Sequence, residues 1–117
     1  MRTGALYRGE HCVVPTVWHA VNPWTRLRGL LGRKPLEPAA AEGLLIEPCS
    51  SVHTFWMNYP LDLIFLDRNN CVLDIRENVA PGSICNARGA RKTLELMAGG
   101  VVVFEPRIGE ELTWRIH

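Results

Sequence analysis

The densest group of chemically versatile side chains starts with Cys49, His53 and Met57, which recur every four residues. On a continuous helix that spacing would put a thiol, an imidazole and a thioether on one face, and such soft ligands suit Cu(I) or zinc. Pro48 and Pro60 bracket the segment, however, and these three ligand types together do not form a recognised metal signature. We therefore expect no cofactor, and a soft-metal site at these three residues is kept as an alternative.

Asp62 follows directly and interrupts a strand signal that is otherwise apolar throughout residues 61–66. A carboxylate in such a strand must be paired, accept backbone N–H bonds or lie near water, because an unpaired buried charge is costly. The structural interpretation, in which Asp62 fixes the neighbouring loop, is favoured over a catalytic base. A small enzyme that uses Asp62 or His53 as general acid or base is the alternative, and a Cys49–His53 nucleophile pair lacks an orienting third group.

Glu95 also has either a structural or a functional role, since it separates Leu94 from Leu96 and points away from their face of a predicted strand. The structural interpretation is an ion pair with Arg26 or Arg28, which would act as a specificity device more than as a source of stability. In the functional interpretation the two arginines bind an anionic ligand, and Glu95 holds one of them in place.

Aromatic and sulfur side chains at Phe55, Trp56, Met57 and Tyr59 have two interpretations. They form either a hydrophobic plug or an aromatic surface for a small ligand or a peptide, for which neighbouring polar residues are the handles. The predicted binding residues are Arg26, Arg28, His53, Thr54, Trp56, Met57, Asp62 and Glu95.

Two kinds of element would position these side chains. Residues 61–66 are apolar on both alternating faces, which predicts a central strand covered on both sides. A turn at residues 67–70, with Asn70 in the left-handed conformation, would lead to a hairpin partner that places Cys71, Leu73 and Ile75 on one face.

Asn22 and Pro23 are typical of a helix start, and apolar residues at helical spacing predict one clear α-helix near residues 23–32. Pro15 removes a ladder donor from the strand signal in residues 6–20, so that strand should lie at a sheet edge or be broken there. Further strands are predicted at residues 43–46, 93–97 and 112–116, and residues 101–104 fit either a strand or a helical turn. The fold class is therefore α+β, a mainly antiparallel β-sheet with closure into a small barrel as one option.

Composition sets the outer limits. The chain has 117 residues, 47% of them hydrophobic and 21% charged, which predicts a single globular domain over residues 1–117. Thirteen basic and twelve acidic residues leave a net charge of +1, which argues against a nucleic-acid binder. Residues 1–10 lack the apolar run of a secretory signal, and no apolar stretch is long enough to span a bilayer. We therefore expect a cytoplasmic protein without membrane association, whose four cysteines are reduced.

Five motifs follow one another along the chain: RxRGLLGR at 26–33, GLL at 43–45, HTFWM at 53–57, PLDLIFLD at 60–67 and LELxAG at 94–99. Their order along residues 13–117 resembles a small prokaryotic family, domain of unknown function 192 (uncharacterised protein family 0127). The resemblance implies a small β-rich fold and a site near the central stretch, and the family has no established activity. The chain departs from it at Leu31 and Leu44, where methionine is frequent, and at Gly109–Glu110, where Gly-Asp is usual.

Together these observations predict a monomeric, non-catalytic module that binds a small molecule or a protein partner through the loop from His53 to Asp62. The enzyme and the soft-metal site remain the alternatives.

Overall fold

A computed structural model describes residues 1–22, 34–55 and 57–117, so the helix predicted near residues 23–32 lies outside the described residues. The described part contains nine strands and one short helix. The strands are β1 (Arg2–Arg8), β2 (His11–Ala20), β3 (Glu42–Ile46), β4 (Ser51–His53), β5 (Leu61–Leu66), β6 (Val72–Val79), β7 (Ile84–Asn86), β8 (Lys92–Met97) and β9 (Thr113–Ile116), and the helix is α1 (Gly100–Phe104).

Seven strands form one sheet in the order β6-β5-β8-β3-β2-β1-β9, and β4 pairs with β7 in a separate two-stranded ribbon. Every neighbouring pair is antiparallel except β2 with β3. The α+β, mainly antiparallel prediction is confirmed. The sheet is not closed into a barrel: in the described part, no ladder joins the edge strands β6 and β9. The start of β6 and the segment that precedes β9 are bonded to each other, since Cys71 bridges to Glu111, and Val72 donates its amide to Glu110 over 2.9 Å and accepts that of Gly109 over 2.8 Å.

Two apolar clusters cover the two faces of this sheet, because successive side chains of each strand point to opposite sides. The first-face core contains Leu6, Val14, Ile64, Leu94, Leu96, Phe104 and Leu112. The second-face core contains Leu44, Ile46, Val52, Leu61, Leu63, Phe65 and Cys85. All six residues of β5 are buried, as the doubly apolar pattern predicts, although β5 is second from the β6 edge of the sheet and not at its centre.

The prediction that Pro15 marks an edge or a break is wrong for the strand as a whole, since β2 runs between β1 and β3, but it holds for the ladder with β1. That ladder is irregular at Pro15, because Leu6 pairs with Val14 whereas Gly4 pairs with Val17. The physical reason that β2 can lie inside the sheet is its short overlap with β3, which pairs only residues 16–20. Pro15 therefore has no β3 neighbour, and its missing N–H leaves no β3 carbonyl without a partner.

The prediction that Leu73 and Ile75 share a face is also wrong. Leu73 packs against the second-face core and Ile75 against the first-face core. Adjacent residues Phe65 and Leu66 of β5 pair with Asp74 and Val72, so β6 carries one extra residue there. This bulge reverses the side from which the following side chains project.

Two local predictions are decided by the backbone. Asn70 adopts the left-handed conformation at φ 67° that the turn after β5 needs. Residues 101–104, which fitted either a strand or a helical turn, lie in α1. In the described part of the chain, no helix is long and apolar enough to cross a membrane.

Candidate functional site

The loop before β5 does not form the helix on which a metal site was considered, because β4 occupies residues 51–53. Cys49 is half-buried against the second-face core and its thiol donates to the carbonyl of Ser51 over 3.3 Å. His53 lies on the exposed side of β4, whereas Met57 packs against the second-face core. Spacing by four therefore does not put the three side chains on one helical face, and the described residues contain no group of three His, Cys, Asp or Glu side chains able to hold a metal.

Asp62 is 1% exposed, and its carboxylate accepts three backbone N–H bonds. Asn78 donates to Oδ1 over 2.8 Å, while Gly99 and Val101 donate to Oδ2 over 3.1 and 2.9 Å. The latter two amides belong to the start of α1, so Asp62 ties β5 to the helix and to the end of β6. The favoured structural interpretation of Asp62 agrees with these contacts.

Thr54 also has a structural role, since its hydroxyl bonds to backbone groups of the segment before β7. Its side chain is 1% exposed, its hydroxyl donates to the carbonyl of Ala80 over 2.7 Å, and it accepts the amide of Ser83 over 2.9 Å. Backbone bonds from Thr54 to Ser83 and from Gly82 to Thr54 complete a clasp between this loop and the segment before β7. No donor or acceptor of Thr54 points to an exposed ligand surface in these contacts.

His53 is the one predicted site residue among those described that lies on an exposed surface. Its ring stacks on Phe55 with centroids 5.5 Å apart and an interplanar angle of 26°. His53 pairs across the ribbon with Ile84, and Phe55 and Ile84 are 41% and 61% exposed. We call His53, Phe55 and Ile84 the ribbon patch.

Two exposed arginines lie at the other end of the same ribbon. Arg88 and Arg91 belong to the turn after β7, and this turn is bonded to the start of the loop: the amide of Ala87 donates to Ser50, and the amide of Cys49 donates to Arg91. Among the described residues neither arginine has an ion-pair partner. The ribbon thus carries the ribbon patch at one end and, as far as the described residues show, two arginines without an ion pair at the other.

Glu95 is the most unusual acid of the second face. It is 5% exposed and lies between Leu44 of β3 and Leu63 of β5 in the sheet register. Burial raises the pKa of its carboxyl from 4.5 to about 7, so the protonated form is favoured there. Burial, followed by the nearby charge of Glu95, raises the pKa of the half-buried Tyr59 phenol.

The structure therefore divides the predicted set. Asp62, Thr54, Met57 and Glu95 are committed to the interior or to its margin, and His53 alone is presented to solvent on the ribbon. Arg26, Arg28 and Trp56 lie outside the described residues, so the ion pair predicted for Glu95 stays a prediction.

Sequence reasoning missed Ile84, Arg88 and Arg91 as neighbours of His53. The only available signal was the short alternation of residues 84–86, which predicts a strand without saying which strand it joins. Tyr59 was noted as part of an aromatic cluster, but its proximity to Glu95 depends on sheet order, which periodicity does not reveal.

Two solved structures resemble this fold. One is a proposed transcription regulator from Sinorhizobium meliloti 1021, with TM-score 0.78 and 27% identity over 97% of this chain and 92% of that one. The other is a protein of unknown function from Novosphingobium aromaticivorans DSM 12444, with TM-score 0.79 and 21% identity over 96% of this chain and 84% of that one. No curated protein matches the sequence. A family model described as an uncharacterized ACR matches residues 6–114, and the chain belongs to that family, DUF192.

Proposed function

We propose that this chain is a non-catalytic, cytoplasmic binding module, a monomer of one domain, that binds an acidic segment of a protein partner through the ribbon patch. The observation that carries the proposal is the stacked pair of His53 and Phe55 beside Ile84, with two of the three side chains apolar and more than 40% exposed. Clustered aromatic and aliphatic side chains on a surface are typical of protein contact sites.

The rigidity of this patch supports binding. His53 is held in a strand that pairs with β7, and the Thr54 clasp fixes the chain between His53 and Phe55. A side chain that is already ordered loses little conformational entropy when a partner covers it. The patch is therefore suited to recognition without a conformational change.

The charge of the partner follows from Arg88 and Arg91. The ribbon strands are three residues long, so at roughly 3.3 Å per residue the arginines begin about 10 Å from the ring stack. An extended peptide spans that distance with three residues. A segment with one apolar anchor and nearby carboxylates would match both ends of the ribbon.

Catalysis is the less favoured role for these residues. An acid or base needs an accessible proton, and both oxygens of the Asp62 carboxylate already accept buried amide protons. Among the described residues His53 has no titratable side chain within hydrogen-bond distance, so it lacks the second group that proton transfer would require.

The likeness to a proposed transcription regulator raises duplex DNA as a competing partner. DNA binding needs a continuous basic surface, because phosphate contacts supply most of its affinity. Three arginines are instead neutralised by carboxylates: Arg8 by Glu110, Arg76 by Asp74 and Arg115 by Glu10. These ion pairs favour an acidic protein segment over DNA.

The test is a titration of the isotope-labelled protein, followed by NMR amide shifts, with a short synthetic peptide that carries a central phenylalanine flanked by glutamates. We expect shifts in residues 51–55 and 84–91, and a dissociation constant raised more than about fivefold by Ile84→Ser. Val102→Ser, at a 69% exposed position on α1, is the matched control and should bind as the unmodified protein does.

Three results would contradict the proposal. They are equal binding of a peptide with lysines in place of the glutamates, unchanged affinity in Ile84→Ser, and tighter binding of a DNA duplex than of the acidic peptide. The last result would move the chain toward the role named for its Sinorhizobium meliloti relative.

A further inference from the structure

A half-open groove of about 640 Å³ lies between the hairpin that joins β1 to β2 and the segment from α1 to β9. This volume is within the range of small-molecule sites, which is about 300–1,000 Å³. The groove is on the first face of the sheet, since Val13 and Phe104 of its lining belong to or pack against the first-face core. It is thus separate from the ribbon patch, whose strands pack on the second face.

The floor of the groove is apolar and partly fixed. Phe104 is 7% exposed, Val13 is half-buried, and Val103 at the rim is 56% exposed. An aliphatic chain laid on these three side chains would remove apolar surface from water, which favours binding.

Arg8 supplies the polar end and is held in place before any ligand arrives. Its Nε and Nη2 donate to the two carboxylate oxygens of Glu110 over 2.5 and 2.8 Å. Nη2 also donates to the carbonyls of Phe104 and Glu105, each over 3.2 Å. In the described part of the chain Nη1 has no partner, so its donors remain available on a guanidinium that is already oriented.

The other charged side chains of the groove favour a ligand with a single negative charge. Arg107 and His11 are exposed at the groove and have no ion pair among the described residues. Glu105 also lines it, and Glu110 is matched by Arg8. The charge of a single carboxylate can be met by Arg107, while Nη1 of Arg8, whose own charge is balanced by Glu110, adds hydrogen-bond donors. A second negative charge would face Glu105 with no further arginine in the groove lining to balance it.

We propose that this groove binds a small monocarboxylate with an aliphatic body, whose head group contacts Arg8 and Arg107 and whose chain lies on Val13, Val103 and Phe104. The planar guanidinium fork of Arg107 matches a carboxylate, and the aliphatic body of the ligand packs on the apolar floor.

The experiment titrates the isotope-labelled full chain with hexanoate and, separately, with hexanol, hexylamine and hexyl phosphate. We expect hexanoate to shift amides in residues 8–13 and 103–110 and to bind more tightly than the other three. Arg107→Gln should weaken hexanoate binding about fivefold, because it removes one exposed charge contact. Arg68→Gln, at an exposed arginine of the turn after β5, is the matched control and should leave the dissociation constant unchanged.

Arg8 is unsuitable as the tested position, since its replacement would also break the Glu110 pair. Thermal unfolding of Arg107→Gln should match that of the unmodified protein, which separates lost binding from lost structure. Equal affinity for hexanol and hexanoate, unchanged binding in Arg107→Gln, or shifts outside the groove would overturn the proposal. Tighter binding of hexyl phosphate would overturn the assignment of a single negative charge.

Discussion

Two carboxylates on neighbouring strands of one sheet are buried by opposite means. Asp62 of β5 faces α1, and its carboxylate accepts three amide protons. Glu95 of β8 lies on the other face between Leu44 and Leu63, and burial there favours its neutral form. The two residues are 1% and 5% exposed, so burial alone does not distinguish them.

The comparison shows that a buried carboxylate in a sheet finds hydrogen-bond donors at the ends of strands and helices, where backbone amides are unpaired, and not in the middle of a strand. The side chain of Asp62 reaches the unpaired amides at the start of a helix and at a strand end, which need an acceptor. Glu95 sits in mid-strand, where the neighbouring backbone groups are already paired across the ladder. The first acid organises a junction, and the second is a candidate for a pH response.

The largest effect is expected at Phe65, which is fully buried on the same face as Glu95. Phe65→Ala should lower the free energy of unfolding by roughly 3–5 kcal/mol, because it leaves a cavity in a close-packed layer. Urea unfolding measures this change, and the exposed Val103→Ala serves as the control, with a change near zero. A loss below about 1 kcal/mol would mean that the second face is loosely packed, and the burial argument for Glu95 would fail.

Asp62→Ala tests the other half of the comparison. It leaves the amides of Asn78, Gly99 and Val101 without their acceptor, and we expect a loss of about 3–4 kcal/mol in urea unfolding. Asp67→Ala is the matched control, since Asp67 accepts two amides, from Asn69 and Cys71, at an exposed turn and should cost only about 1 kcal/mol. Equal losses in the two variants would show that Asp62 is no more than a turn cap.

The free energy of unfolding of Glu95→Gln should increasingly exceed that of the unmodified protein as pH rises. Below the unfolded pKa of 4.5 the carboxyl is protonated in both states and contributes no penalty. Between that value and the folded pKa of about 7 only the unfolded chain loses its proton, so the free energy of unfolding falls as pH increases. Above it the full penalty, about 3 kcal/mol, is present, and glutamine should remove most of it.

The measurement for Glu95 is urea unfolding of both proteins from about pH 4 to pH 9, with the difference in stability plotted against pH. The same series on Glu77→Gln, which changes an exposed glutamate of β6, should give a flat difference. A flat difference for Glu95→Gln as well would show that its carboxylate is paired in the folded protein, as the Arg26 or Arg28 prediction requires.

The smallest effect is expected at His53. Because the ring is exposed, His53→Ala should change the free energy of unfolding by no more than about 0.5 kcal/mol and the melting temperature by a few degrees. Calorimetry would measure it, and the variant should still lose peptide binding. A variant that does not fold would make His53 structural and remove it from the ribbon patch.

Most strands and the structural role of Asp62 could be predicted from the sequence, whereas the pairing of the strands could not. The apolar run of β5 and the left-handed turn at Asn70 follow from local side-chain chemistry, so both were predictable. The position of Pro15 and the faces of Leu73 and Ile75 depend on which strand lies alongside and where a bulge falls. Those are properties of pairing between distant segments, which a single sequence does not encode locally.

The same limit applies to the sites. His53 was identified from its loop, but Ile84 and Arg88 join it only through the pairing of β4 with β7. The groove at Arg8 was not predicted at all, because its two walls are about a hundred residues apart in sequence and contain no recognisable motif.

The position of β1 has a consequence for the time course of folding. This strand lies between β2 and β9, and Gly4 pairs with Ile116 at the far end of the sequence. At synthesis rates of about 5–20 residues per second, β1 waits roughly 5–20 s on the ribosome for the partner that covers its second edge. Until then an unpaired edge is exposed, so completion of the sheet must follow synthesis of the roughly 110 residues that separate Gly4 from Ile116.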